Sequence, residues 1–134
     1  MESFRSGVKV VRLNVNDDGY CVELHTSSDA WLKKFLDFAR SLEEKNNKHL
    51  EALKGNDDVD LSIQHILEFD GEIKEEFTKL FGEGAYEATF GSDLVGVEYI
   101  IEFIEACMPY IQKRVDARAK AFDKYNPNKT GGAG

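Results

Sequence analysis

The chain has 134 residues and 15.1 kDa, is 42% hydrophobic and 31% charged, and carries a net charge of −8. That is one domain's worth of chain, apolar enough to bury a core and too apolar for wholesale disorder. Its two cysteines, Cys21 and Cys107, provide neither a disulfide framework nor metal-ligand spacing.

The charge is unevenly placed. Residues 1–15 carry three basic groups against one acidic, residues 113–134 carry six against two, and the middle is left with −14. An acidic body of that size repels a phosphate backbone, which argues against nucleic acid as a partner. The basic end can still meet an acidic surface locally. Nothing near Met1 reads as a signal peptide and no segment approaches ~20 apolar residues, so a cytoplasmic protein away from the membrane is expected.

In chain order, residues 8–25 alternate with period two. Val11, Leu13 and Val15 share one face, as do Tyr20, Val22 and Leu24. Asp18-Gly19 between them is a hairpin signal, because glycine accepts the positive φ of such turns. A lone hairpin is marginal in water, so its apolar face must lie on something else. Asn14, Asn16, Asp18 and Gly19 match the start of a calcium loop, but His25 stands where that loop needs a bidentate Glu. A plain hairpin is the better account.

Ser28 or Asp29 is expected to cap a first helix with Trp31, Phe35, Phe38 and Leu42 along one face. The stripe thins after Leu42 and resumes only at Leu50 and Leu53, so the far half should project into solvent. After "KGNDD", a second helix is expected from Asp58 or Asp60 to Phe81. Val59, Ile63, Ile66, Asp70, Ile73, Phe77 and Leu80 form its seam, with Asp70 the polar intruder. His65, Glu68, Glu72 and Glu76 line another face. The residues three before each histidine are Val22, Asn46 and Ser62, so a carboxylate di-iron pattern is absent and a solvated acidic face is expected.

"FGEGAYEATFG", residues 81–91, looks at first like a phosphate loop. Glu87 occupies the place of the third glycine, no Lys-Ser/Thr follows, and the loop comes after a helix instead of a strand. It is expected to be a corner. Gly82 ends the second helix, Ala85 to Phe90 form one short turn, Gly91 ends that, and Phe81, Tyr86 and Phe90 pin it to the bundle. Ser92 or Asp93 then caps a third long helix over 93–125, about 50 Å long. Leu94, Val97, Ile101, Ile104, Met108, Ile111, Val115 and Phe122 keep the three-four spacing, and Pro109 should kink it. No nucleophile elbow or Cys–His setting is present, so no catalytic, cofactor or metal residue is assigned.

Four stretches, "NDDGYCVEL", "WLKKFLDFARSLEEK", "EEFTKLFGEGAYEATFG" and "YIIEFIEACMPYIQKRVDARAKAFDKYNPNK", resemble the tail assembly chaperones of long-tailed bacteriophages, especially those infecting Gram-positive bacteria. Phe-Gly-Glu-Gly followed by Phe-Gly is the most specific of these features. The resemblance implies a non-enzymatic helper in the host cytoplasm. It would bind the helical tape measure protein during tail tube assembly, with the tail tube protein as a further contact, in a short and a frameshift-extended form. A structural tail component retained in the particle is the alternative, and a small metal-dependent enzyme a third class.

The expected fold is α+β, mainly α. An N-terminal two-stranded antiparallel hairpin packs on three long helices, with a short helical corner between helices two and three. Residues 1–126 form one domain and 127–134 a tail. Apolar helical seams on so small a body should drive self-association. Ile111, Val115 and Phe122, flanked by Lys113, Arg114 and Lys120, are the expected partner-binding residues.

Overall fold

A computed structural model describes residues 10–55 and 57–124. Strands β1 (Val11–Asn14) and β2 (Cys21–Leu24) pair antiparallel, with Val11 opposite Leu24 and Leu13 opposite Val22. The ladder continues one step further, where Val15 N donates to Tyr20 O at 3.0 Å. Gly19 N donates to Asn16 O, and Gly19 takes φ 83°, the left-handed value the Asp-Gly pair anticipates. Asn16 Oδ1 accepts from the amides of Asp18 and Tyr20, so its side chain builds the turn. The apolar face is the expected one at Val22 and Leu24, which are buried, whereas Tyr20 is exposed. Its hydroxyl donates instead to the Glu83 carbonyl at 3.5 Å.

Helix α1 (Asp29–Lys54) starts at Ser28, whose hydroxyl accepts from Trp31 N. Trp31, Phe35, Phe38 and Leu42 are buried, and Leu50 is exposed, as the thinning stripe anticipates. Asp58 caps helix α2 (Val59–Phe81) by accepting from the amides of Asp60 and Leu61. Trp31 Nε1 donates to Leu80 O at 3.0 Å and ties the start of α1 to the end of α2.

The corner forms as expected: α3 spans Ala85–Phe90, between Gly82 and Gly91. Those two glycines adopt φ 100°, ψ 166° and φ 95°, ψ −177°, a region open essentially to glycine alone. Tyr86 is buried, while Phe81 and Phe90 are half-buried and pack against the core.

Helix α4 spans Val97–Lys124, starting four residues after Asp93. Residues 94–96 are not helical and instead lead from the corner into α4. Val95 N donates to the Tyr86 hydroxyl at 3.0 Å, and Gly96 O accepts the first turn's bond from Tyr99. The helix is therefore about 42 Å long. Its buried stripe is Val97, Ile100, Phe103, Ile104, Cys107 and Ile111, while the expected Ile101 and Met108 flank it, half-buried. Pro109 lies inside the helix on its exposed side, where water can reach the carbonyl that lost its donor.

Phe77 is the hub of the core. It is fully buried, with the rings of Phe38, Phe81, Tyr86, Phe90 and Phe103 at 4.5–6.5 Å. Hairpin, corner and all three long helices meet around it, giving a mainly helical α+β fold with a single core. The 127–134 tail lies outside the described residues.

Candidate functional site

The residues expected to bind a partner are not one surface. Ile111 is 2% exposed and belongs to the core, because α4 still lies against the body at that turn. One turn later Val115 is 49% exposed, with Lys113 and Lys120 exposed beside it. Arg114 is half-buried and turned inward, its Nε donating to the Thr26 carbonyl at 3.1 Å. Arg118 forms an ion pair with Asp29 that holds the Asp29 carboxyl below its ordinary range. These two arginines therefore clamp α4 to the start of α1 before either can serve a partner. Phe122 lies in the helical span, but its side chain is outside the described residues.

The other end of the molecule shows what sequence periodicity missed. The expected α2 seam is buried only from Ile73 onward. Its first half is open: Val59, Leu61, Ile63, Ile66 and Leu67, with Leu50 of α1, are 38–68% exposed. The reason is reach. His49 stacks on Phe69 with ring centroids 4.3 Å apart, and Asp70 lies within electrostatic range of His49 and Glu98, near the start of α4. Beyond that level only the outer part of α1 lies alongside α2, and it offers just Leu50 and Leu53 as large apolar side chains. The signal was present in the sparse far half of α1, which has too few apolar residues to cover the α2 stripe.

This arm is also strongly acidic. Residues 57–72 hold six carboxylates and no Lys or Arg. Asp70, at its inner edge, has its pKa raised, first by desolvation and then by Glu98, with His49 opposing. Further along α2, Glu76 Oε1 pairs with Lys45 Nζ at 2.5 Å, while Glu76 Oε2 is buried without a hydrogen-bond partner among the described residues.

Other candidate chemistry resolves into structure. Among the described residues no group of three or more His, Cys, Asp or Glu is placed to hold a metal ion. Asn16, from the calcium-like run, is committed to the turn, and its Nδ2 donates to Ala88 O of the corner at 3.4 Å. In the glycine corner, Glu87 pairs with Lys74 at 2.9 Å, and the Tyr20 hydroxyl sits beside Gly84. The buried Cys107 thiol is pushed up to about 12 by desolvation, so it stays protonated at neutral pH. Among the described residues no helix is long and apolar enough to cross a membrane. No family model, curated protein or solved structure matches the chain.

Proposed function

We propose that this protein is a non-enzymatic tail assembly chaperone of a long-tailed bacteriophage, working in the host cytoplasm. In this reading it holds helical segments of the tape measure protein in solution while the tail tube is built, and contacts the tail tube protein as assembly proceeds. One observation carries the reading: a well-packed small body bears an uncovered apolar stripe on the first half of α2. Such a stripe, with residues three and four apart, suits an amphipathic helix laid along it. The sequence likeness of the hairpin, the glycine corner and α4 to tail assembly chaperones names the client class.

The docking surface in this proposal is the arm, with Ile63 and Leu67 at its centre. Ile111 is excluded from it by burial. Co-expression with a tape measure protein, followed by pull-down, tests the reading. The parent chain should recover soluble client, and Ile63→Asp with Leu67→Asp should lose it. A client that stays insoluble with the parent chain sinks the chaperone reading. A double variant that captures as well as the parent removes the arm from it.

A further inference from the structure

The α2 seam is one stripe with two fates. At Phe77 it is covered by α4, whose Phe103 ring lies 5.4 Å away. The cover ends near Asp70, because α4 begins at Val97 and Glu98 acts electrostatically on the Asp70 carboxyl. Toward the start of α2, Val59, Ile63, Ile66 and Leu67 continue the same face and are exposed. A stripe in register with one that a helix already covers presents a surface on which a helix packs. From Val59 to Asp70 it runs about 17 Å, or about three helical turns. Asp60 and Asp70 close its two ends, three residues before Ile63 and three after Leu67, on the same side of the helix. Neither carboxylate pairs with a Lys or Arg among the described residues. The arm around them, residues 57–72, holds six carboxylates and no basic residue but His65.

Resting on the reading of the arm as the client site, we propose that the arm selects client segments by charge. The segments it takes are amphipathic helices of about three turns whose apolar stripe is flanked by Lys or Arg. The apolar side chains of such a helix cover Ile63, Ile66 and Leu67, as α4 covers the seam at Phe77. Its flanking cations meet Asp60 and Asp70. At Asp70 a cation also offsets the repulsion from Glu98, which adds to desolvation in holding that carboxyl above its ordinary range. A helix flanked by Glu or Asp would bring like charges together at both ends of the stripe. A contact of about three turns lies at the small, transient end of protein interfaces. Apolar cover alone therefore grips weakly, and the flanking charges decide which segments are held. Weak, selective contacts also suit a client that must be released as assembly proceeds.

Fluorescence anisotropy of three labelled peptides tests it. Each has about 14 residues, with leucines spaced three and four apart on an alanine background. Lysine, glutamine or glutamate occupies the positions flanking the leucines. At about 50 mM salt the lysine peptide should bind the parent chain at least about ten-fold more tightly than the glutamate peptide, with glutamine between them. At about 500 mM salt that spread should shrink to about three-fold or less. Ile63→Asp with Leu67→Asp then separates a docking site from diffuse attraction. The change makes the arm more acidic, so charge alone would tighten the lysine peptide, whereas a docked helix should be lost. Both side chains are exposed, and Ile63→Ala with Leu67→Ala serves as a second variant should the first not fold. Asp60→Asn with Asp70→Asn should retain the glutamine peptide and bring the lysine peptide to within about three-fold of it. Peptides that bind alike at low salt overturn the proposal. So does a lysine peptide that binds the Asp-substituted arm as well as the parent, or a failure of all three to bind. These outcomes leave client capture in co-expression untouched, and only a client that stays insoluble there strikes the chaperone reading itself.

Discussion

Phe77→Ala is the most informative single change to the core. The ring is completely buried, and five aromatic neighbours surround it at 4.5–6.5 Å. Returning a buried Phe side chain to water costs about 1.5–3 kcal/mol in transfer alone. The cavity left behind adds to that, which is why Phe→Ala substitutions in cores total about 3–5 kcal/mol. Each aromatic pair is worth about 0.5–1.5 kcal/mol beyond its area, though pairs sharing one ring do not add independently. The loss should thus lie at the upper end, near 4–5 kcal/mol, out of roughly 7–20 kcal/mol for a domain of this length. Phe90→Ala is the graded control. That ring is half-buried, with Tyr86, Phe77 and Phe103 as its ring neighbours among the described residues, so about 2–3 kcal/mol is expected. Ile63→Ala, on the exposed arm, should stay within about 0.5 kcal/mol. Urea unfolding followed by far-ultraviolet circular dichroism measures all three. If Phe77→Ala costs under about 2 kcal/mol, or Ile63→Ala costs as much as Phe90→Ala, the core is not centred on Phe77.

Gly82→Ala and Gly91→Ala should each cost about 1–3 kcal/mol in the same melts, although a methyl group there meets no neighbour, because their backbone angles disfavour any side chain. Asp70→Asn should raise stability at neutral pH. A carboxyl whose folded pKa is raised binds protons more tightly in the native state, so its contribution to stability falls as pH rises from 3.8 through the folded value. The gain should therefore vanish in acid, and urea midpoints for parent and variant at about pH 7 and about pH 3 check the sign. With a thiol-reactive disulfide reagent, Cys107 should react only after unfolding, whereas the half-exposed Cys21 should react in the native protein; prompt modification of two thiols would contradict the burial of Cys107.

The parts of the fold legible in the sequence are those decided by local chemistry. Asp18-Gly19 marks the turn, Ser28 and Asp58 are helix caps, and Gly82 and Gly91 bracket one short helical turn at the corner. The start of α4 was not legible: Ser92 and Asp93 are good capping residues, but the chain there is held to the corner, with the Val95 amide on the Tyr86 hydroxyl nine residues upstream, and the helix begins only at Val97. The α2 seam failed in a different way. A three-four spacing identifies an apolar stripe, but it carries no information about whether a neighbour is long enough or apolar enough to cover it. Val59 to Leu67 have the pattern of a buried seam and the surroundings of a surface. The α4 end erred in the reverse direction. Ile111 and Arg114 read as surface groups for a partner, yet the first is core and the second is tied to Thr26, a contact across 88 residues that no local pattern encodes.

The indole of Trp31 gives the protein a built-in spectroscopic division. It is the chain's single tryptophan, 9% exposed, stacked on Phe35 with centroids 5.4 Å apart and bonded to the Leu80 carbonyl. Its emission therefore reports the joint between the start of α1 and the end of α2, at the opposite end of both helices from the arm. Fraying of the arm, or occupation of its apolar stripe, should leave that emission unchanged while the helical dichroism responds. Loss of the ring cluster should shift the emission to the red. Following both signals in one titration separates events on the arm from opening of the body, with no label attached.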